Sequence, residues 1–295
     1  MAAADRAMSD DSTRADVVQA VLDWYDHHAR DLPWRRKDCS AWGVMVSEFM
    51  LQQTPVNRVL GPWQAWLHRW PTPAALAADP VAEAVAAWGR LGYPRRAQRL
   101  HAAATAIVAD HDGLVPRELD DLRALPGVGD YTAAAIASFG YGQRAVVVDT
   151  NVRRVLARLE LPEGEQPPSV EDRRRAERWL PTDRATAARW AAASMELGAL
   201  VCTAQSPNCS ACPVSSACAW LAAERPSSTA PRRRQAWEGT DRQCRGVMLA
   251  ALREHRAGRS REQLLALWPD RAQAERCLAS LLADELAQGD QVITL

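Results

Sequence analysis

Four cysteines fall within seventeen residues, CTAQSPNCSACPVSSAC at 202–218, and no other feature restricts the folding of this chain as much. Cys202, Cys209, Cys212 and Cys218 are separated by six, two and five residues, while Cys39, Cys244 and Cys277 are scattered. A segment that brings four sulfurs to one point is a compact loop, and the rest of the fold has to hold it. Seven cysteines, an odd set, without a basic start followed by an early apolar run, point to a reducing compartment and to metal ligation rather than disulfides. Zinc ribbons usually pair two CxxC knuckles, and here only Cys209 and Cys212 form one. An iron–sulfur cubane takes four thiolates from one wrapped segment. The chemistry alone leaves zinc and an iron–sulfur cluster both open.

The whole 295-residue chain is 47% hydrophobic, enough to bury a core in two or three compact units. No run of about eighteen apolar residues occurs, so no membrane span is expected and the protein is placed in the cytoplasm. Net charge is zero, but Arg153, Arg154 and Arg158, and Arg232 to Arg234, form local basic blocks. Only the local field matters to a phosphate, although such blocks are often just a solvated face.

Residues 1–14 lack periodicity and read as a disordered tail. From Ala15, stretches such as ADVVQAVLDWYDHHA and VSEFMLQQTPVNRVLGPWQAWLHRW place apolar residues three and four apart, the helical period, with Pro and Gly as punctuation. Strand signals are nearly absent. Residues 224–239 combine Pro, Ser and a basic run and read as a linker. Residues 240–295 offer three amphipathic helices and then AQGDQVITL, where Gly289 and Asp290 can turn a hairpin, the order of a winged helix-turn-helix.

Three stretches inside the helical part carry chemistry. In LRALPGVGDYTAAA, Leu125 ends one helix, Pro126 to Gly129 turn, and Asp130 begins the next; Gly127 and Gly129 permit positive φ and bare amides, an anion nest or simply a helix-to-helix turn. Glu48 sits among Val46, Phe49, Met50 and Leu51. Buried, it would have the raised pKa that a general acid near neutral pH requires; on the wet side of the helix it would mean nothing. Asp149 precedes a helix with a basic face and is either an N-cap or a functional carboxylate.

Taken in order, LPWR at 32–35, VSEFMLQQT at 46–54, LGY at 91–93, LPGVGDYTA at 125–133, VDTNVRRV at 148–155 and the cysteine loop resemble the MutY-type adenine DNA glycosylases, of the helix-hairpin-helix, endonuclease III-like superfamily. The likeness covers residues 16 to about 222. It implies a mainly α, two-lobed helix-hairpin-helix glycosylase fold over 15–223, with a six-helix lobe at about 32–145 and an iron–sulfur lobe from 15–31 and 146–223, followed by the winged-helix-like unit. It implies a 4Fe-4S cluster on Cys202, Cys209, Cys212 and Cys218, and a monovalent cation shared between the hairpin at Gly127 and Gly129 and a DNA phosphate.

Carried over by position, the resemblance implies that Glu48 protonates adenine and Asp149 stabilises the cationic sugar, with Tyr131 and Asn151 orienting the carboxylates. Arg35 would contact the flipped adenine, Tyr93 would stack as a wedge beside 8-oxoguanine, and Gln52, Gln53, Thr54 and Leu91 would fill the gap and touch the lesion. The substrate implied is double-stranded DNA with adenine opposite 8-oxoguanine or guanine, bound by a monomer at the nucleoid. Bifunctional relatives use a lysine where this chain has Tyr131, and Lys37 is its only lysine. Two departures stand out: Ala192 occupies a place usually polar, and the usual nucleotide-pyrophosphohydrolase-like C-terminal domain is replaced by about 55 residues. A mismatch-thymine or oxidised-pyrimidine glycosylase, and a non-catalytic iron–sulfur DNA-binding protein, remain the alternatives.

Overall fold

The computed structural model describes residues 2–226 and 237–295, with side chains from residue 12. Most of the linker expected at 224–239, with Arg232 to Arg234, lies outside the described residues. In chain order the helices are α1 (Ala2–His28), α2 (Ala41–Leu51), α3 (Val56–Arg69), α4 (Pro73–Ala78), α5 (Val81–Ala87), α6 (Arg95–Asp110), α7 (Leu119–Ala124), α8 (Asp130–Ala135), α9 (Thr150–Glu160), α10 (Val170–Arg178), α11 (Arg184–Leu200) and α12 (Ala219–Ala222). The C-terminal residues form α13 (Asp241–Glu254), β1 (Arg259–Ser260), α14 (Arg261–Leu265), α15 (Arg271–Ala283) and β2 (Val292–Ile293). Helix α1 thus includes a stretch without apolar periodicity; its alanines have the highest helix propensity, and extending an existing helix needs no new nucleus.

Many of these helices start where a short polar side chain can take an orphan amide. Asp149 caps α9, Ser169 and Asp172 form a capping box on α10, Asp183 caps α11, and Ser260 with Gln263 boxes α14. Such caps set where each helix begins, and so which residues face inward.

By contacts the chain divides into two units. The first comprises Met1–Val44, Arg117–Leu119 and Gly129–Pro231. Its core joins Val21 and Trp24 of α1, Val155 and Leu156 of α9, and Trp190 and Leu197 of α11, with Trp179 and Trp190 stacked at 6.1 Å. Gly198 lets α11 press against α9, since a Cβ there would stand 2.7 Å from Asn151 Cβ.

The second unit comprises Met45–Pro116, Asp120–Val128 and Arg232–Leu295. Trp66 meets Trp70 and Trp88 edge-on, and all three are fully buried, as are Leu76, Leu100 and Ile107. Residues 241–295 have the element order of a winged helix: β1 pairs antiparallel with β2, Gln288 bridges Thr294, and Gly289 turns at φ 107°. This module is fastened to α5 and α6. Gln98 donates to the carbonyls of Asp284 (3.0 Å) and Glu285 (2.8 Å), Arg95 pairs with Asp284 at 3.0 Å, Arg253 donates to the Val85 carbonyl, and Arg256 pairs with Glu83.

Candidate active site and cysteine loop

Glu48 lies on α2, where every residue from Trp42 to Met50 is buried, and it is itself 6% exposed. The solvated alternative for this carboxyl is therefore removed. Two residues downstream of α2 the chain bends sharply: Gln52 is half-buried, Gln53 is exposed with φ 54°, and Thr54 is buried. A second bend follows α5, with Leu91 buried, Gly92 at φ 83° and Tyr93 exposed at φ 47°. Of these residues, only Gly92 adopts positive φ without steric cost.

The turn between α7 and α8 runs through the residues expected, with Gly129 as N-cap of α8. Its two glycines differ from expectation. Gly127 has φ 78°, and a Cβ there would lie 2.8 Å from Arg99 Cβ and 3.1 Å from Phe49, so both conformation and packing demand glycine. Gly129 is extended (φ −94°, ψ 179°) with open space around it, so a turn that needs only one left-handed residue takes it at 127. Tyr131 stands half-buried in the first turn of α8, while Lys37 is exposed in the segment leading into α2.

Asp149 is both a cap and the end of a partly buried network. Oδ1 accepts from the amides of Asn151 (2.8 Å) and Val152 (2.7 Å), and Oδ2 from Asn151 Nδ2 (2.6 Å). Burial pushes this carboxyl above its ordinary pKa, and the three donors together with Arg154 oppose the shift by favouring the ionised form. Asn151 in turn accepts from Arg154 Nη2 at 2.7 Å, and Arg154 also donates to the carbonyls of Gly198 and Cys202, both at 2.7 Å. One buried arginine thus ties the cap to the cysteine loop.

Arg35 points to a residue that sequence reasoning passed over. Its Nη2 lies 2.9 Å from Glu196, a fully buried carboxylate that Arg30 also grips through Nε and Nη2, each at 2.7 Å. Burial alone would raise the Glu196 pKa, but the bonds from Arg30 and Arg35 outweigh it and hold the carboxyl at about 2. Glu196 sits one turn beyond Ala192. A lone acid in the small-residue helix RWAAASMELGAL was the available signal, the same one that singled out Glu48. Arg35 Nη1 is buried and makes no hydrogen bond among the described residues.

The four cysteines line one cavity together with Arg158, Pro207 and Trp220. Burial pushes the Cys212 thiol up to about 11, and the other three sulfurs add to the shift. Four thiolates so placed need a positive group between them, which suits bound iron. Arg158 contributes, donating from Nη1 to Cys202 Sγ at 3.3 Å and to the Thr203 carbonyl at 2.8 Å while its guanidinium lies 4.2 Å from the Trp220 ring. Among the described residues no three His, Cys, Asp or Glu side chains close into a single-ion sphere.

A profile of the HhH-GPD superfamily, base excision DNA repair proteins, matches residues 46–181, and one for the iron–sulfur binding domain of endonuclease III matches residues 202–218. The adenine DNA glycosylase of Mycolicibacterium smegmatis is 52% identical over 269 residues, 91% of each chain. That of Mycobacterium tuberculosis is 51% identical, over 90% of this chain and 88% of its own. The human adenine DNA glycosylase is 44% identical over 209 residues, 68% of this chain and 38% of its own. Among solved structures, a thermostable thymine-DNA glycosylase superposes with a TM-score of 0.65 at 24% identity, and a non-covalent endonuclease III–DNA complex with 0.60 at 22%; each match covers 72% of this chain and 99% of the other. These two likenesses are of fold.

Proposed function

Because this chain belongs to the adenine DNA glycosylases, iron–sulfur enzymes of base excision repair in the HhH-GPD superfamily, we propose that it releases adenine mispaired with 8-oxoguanine or guanine, by hydrolysis and without cutting the strand. The observation that carries the reading is Glu48, a carboxyl enclosed on a helix buried from Trp42 to Met50.

Adenine is out of reach inside a duplex, so it is flipped out at an unstacking cost of a few kcal/mol. Glu48 then donates its proton to N7, which draws electrons from the glycosidic bond and makes adenine a leaving group. Asp149, whose ionised form its three donors favour, stabilises the oxocarbenium-like sugar until water adds and passes its proton to the Glu48 carboxylate. Asn151 and Tyr131 orient the carboxylates, and the unpaired Nη1 of Arg35 is a donor for an acceptor on the base. The Gln52–Thr54 and Leu91–Tyr93 bends touch the opposite base, with Tyr93, 47% exposed, stacking as the wedge.

Helix α8, with Tyr131 in its first turn, carries no lysine to form a Schiff base, Lys37 being the only one in the sequence. Cys202, Cys209, Cys212 and Cys218 hold the cluster, of 4Fe-4S type, which braces the loop. The hairpin at Gly127 and Gly129 would hold a monovalent cation that helps to neutralise a DNA phosphate. The protein works as a monomer in the cytoplasm at the nucleoid; no helix among the described residues is long and apolar enough to cross a membrane.

Duplexes carrying A opposite 8-oxoguanine, A opposite G, T opposite G and oxidised pyrimidines, treated with enzyme and then alkali, test class and substrate together. Alkali-labile sites are expected only at the adenines, no borohydride-trapped adduct should form, and Glu48→Gln should lower excision by about a hundredfold or more, the share of general acid catalysis. Excision by Glu48→Gln at the wild-type rate would remove the proposed mechanism.

A further inference from the structure

Arg96, in the first turn of α6, is 5% exposed and has no carboxylate partner among the described residues. Burial pulls its pKa down to about 10. A buried cation without an acid persists only where neutral oxygens replace its hydration, and here they come from two separate segments. Nη1 donates to the carbonyls of Phe49 (2.8 Å), Met50 (3.0 Å) and Gln52 (2.5 Å), the end of α2, where carbonyls lack intrahelical partners and the helix dipole is negative. Nη2 donates to Thr54 Oγ1 (3.0 Å) and to the carbonyls of Gly92 (3.0 Å) and Leu91 (3.4 Å).

The segments so gripped contain Gln53 and Tyr93, two non-glycine residues in the left-handed region. Each such conformation costs of the order of 1 kcal/mol and lasts only where its surroundings fix it. The guanidinium also lies 5.6 Å from the centre of the Tyr93 ring. A planar fork with its donors aimed both ways is suited to this; an ammonium is a single point.

We infer that Arg96 is a positioning residue that locks the Gln52–Thr54 and Leu91–Tyr93 bends in one mutual geometry, and thereby sets how strongly the enzyme prefers the lesion-bearing duplex. This rests on the proposed contact of both bends with the opposite base. A purely structural arginine would lower stability and weaken every duplex alike.

The test uses the full-length holoenzyme and duplexes with a 2′-fluoro adenine nucleotide, which resists cleavage, opposite either 8-oxoguanine or thymine. The readout is the ratio of the two dissociation constants, with far-ultraviolet dichroism and cluster absorbance checking the fold. Arg96→Lys keeps the charge and loses the fork, and should reduce the ratio by about tenfold, the order of one base–aromatic stack. A ratio unchanged in a folded Arg96→Lys overturns the inference. Should that variant lose its cluster, Thr54→Val, which deletes one acceptor of the fork, decides instead, a severalfold drop supporting the inference and an unchanged ratio overturning it. Tyr93→Ala separates the two readings: an unaltered ratio there overturns the lesion contact itself, whereas a drop there with none in Arg96→Lys overturns the clamp alone.

Discussion

Glu196 shows what a single buried charge asks of its neighbours. Its folded pKa of about 2 lies below the ordinary 4.5, so its pairing contributes stability that is complete above pH 4.5 and lost as the pH falls toward 2. Glu196→Gln leaves Arg30 and Arg35 facing a neutral amide. The cost at pH 7 should be about 3 kcal/mol, the lower end for a broken buried pair because the Arg30 side chain is 35% exposed. In urea titrations the gap between wild type and variant should narrow as the pH is lowered from 5 to 3; a constant gap would mean that the carboxylate charge is not what stabilises. Glu196 left one trace in the sequence, a lone acid in a small-residue helix, and Arg96 left none; the partners of both were illegible. Arg35 meets Glu196 across 161 residues and Arg96 meets Phe49 across 47, and no local pattern encodes such partners.

Helix α9 is set by a cap at one end and a glycine on its neighbour. Gly198→Ala would place a methyl 2.7 Å from Asn151 Cβ and 2.9 Å from its carbonyl oxygen, so α11 and α9 would have to part. A loss of about 1–3 kcal/mol in stability, typical of overpacking, should come with a fall in single-turnover excision, because Asn151 carries the Asp149 carboxylate. Unaltered excision in a destabilised variant would show that Asn151 does not position Asp149. The elements themselves were largely readable: helical period marked α2, a Pro-Gly turn marked the break between α7 and α8, and four thiols marked the loop after α11. What the glycines do was only half readable. GVG permits two left-handed residues, but packing against Arg99 and Phe49 uses one, at Gly127.

For the whole molecule, the C-terminal residues 241–295 act as part of the second unit, joined to α5 and α6 by charged and backbone contacts. Asp284 is central, pairing with Arg95 and, at 2.6 Å, with Arg245. Asp284→Ala should cost about 1–2 kcal/mol, the Arg95 pair being solvent-screened and the Arg245 pair less so. Amide exchange should quicken in α6 and α13–α15 and stay as it was in α9 and α11; uniform quickening would point to global destabilisation instead. The helical period of this stretch was readable in the sequence but these contacts were not, since Gln98 and Asp284 lie 186 residues apart. The scarcity of lysine has a practical side. With Lys37 exposed and no other lysine in the chain, amine-reactive resins and dyes have one side chain to capture besides the terminal amino group. Amine coupling is thus confined to two points of attachment, and the coupling pH selects between them because an α-amino group loses its proton well before a lysine does.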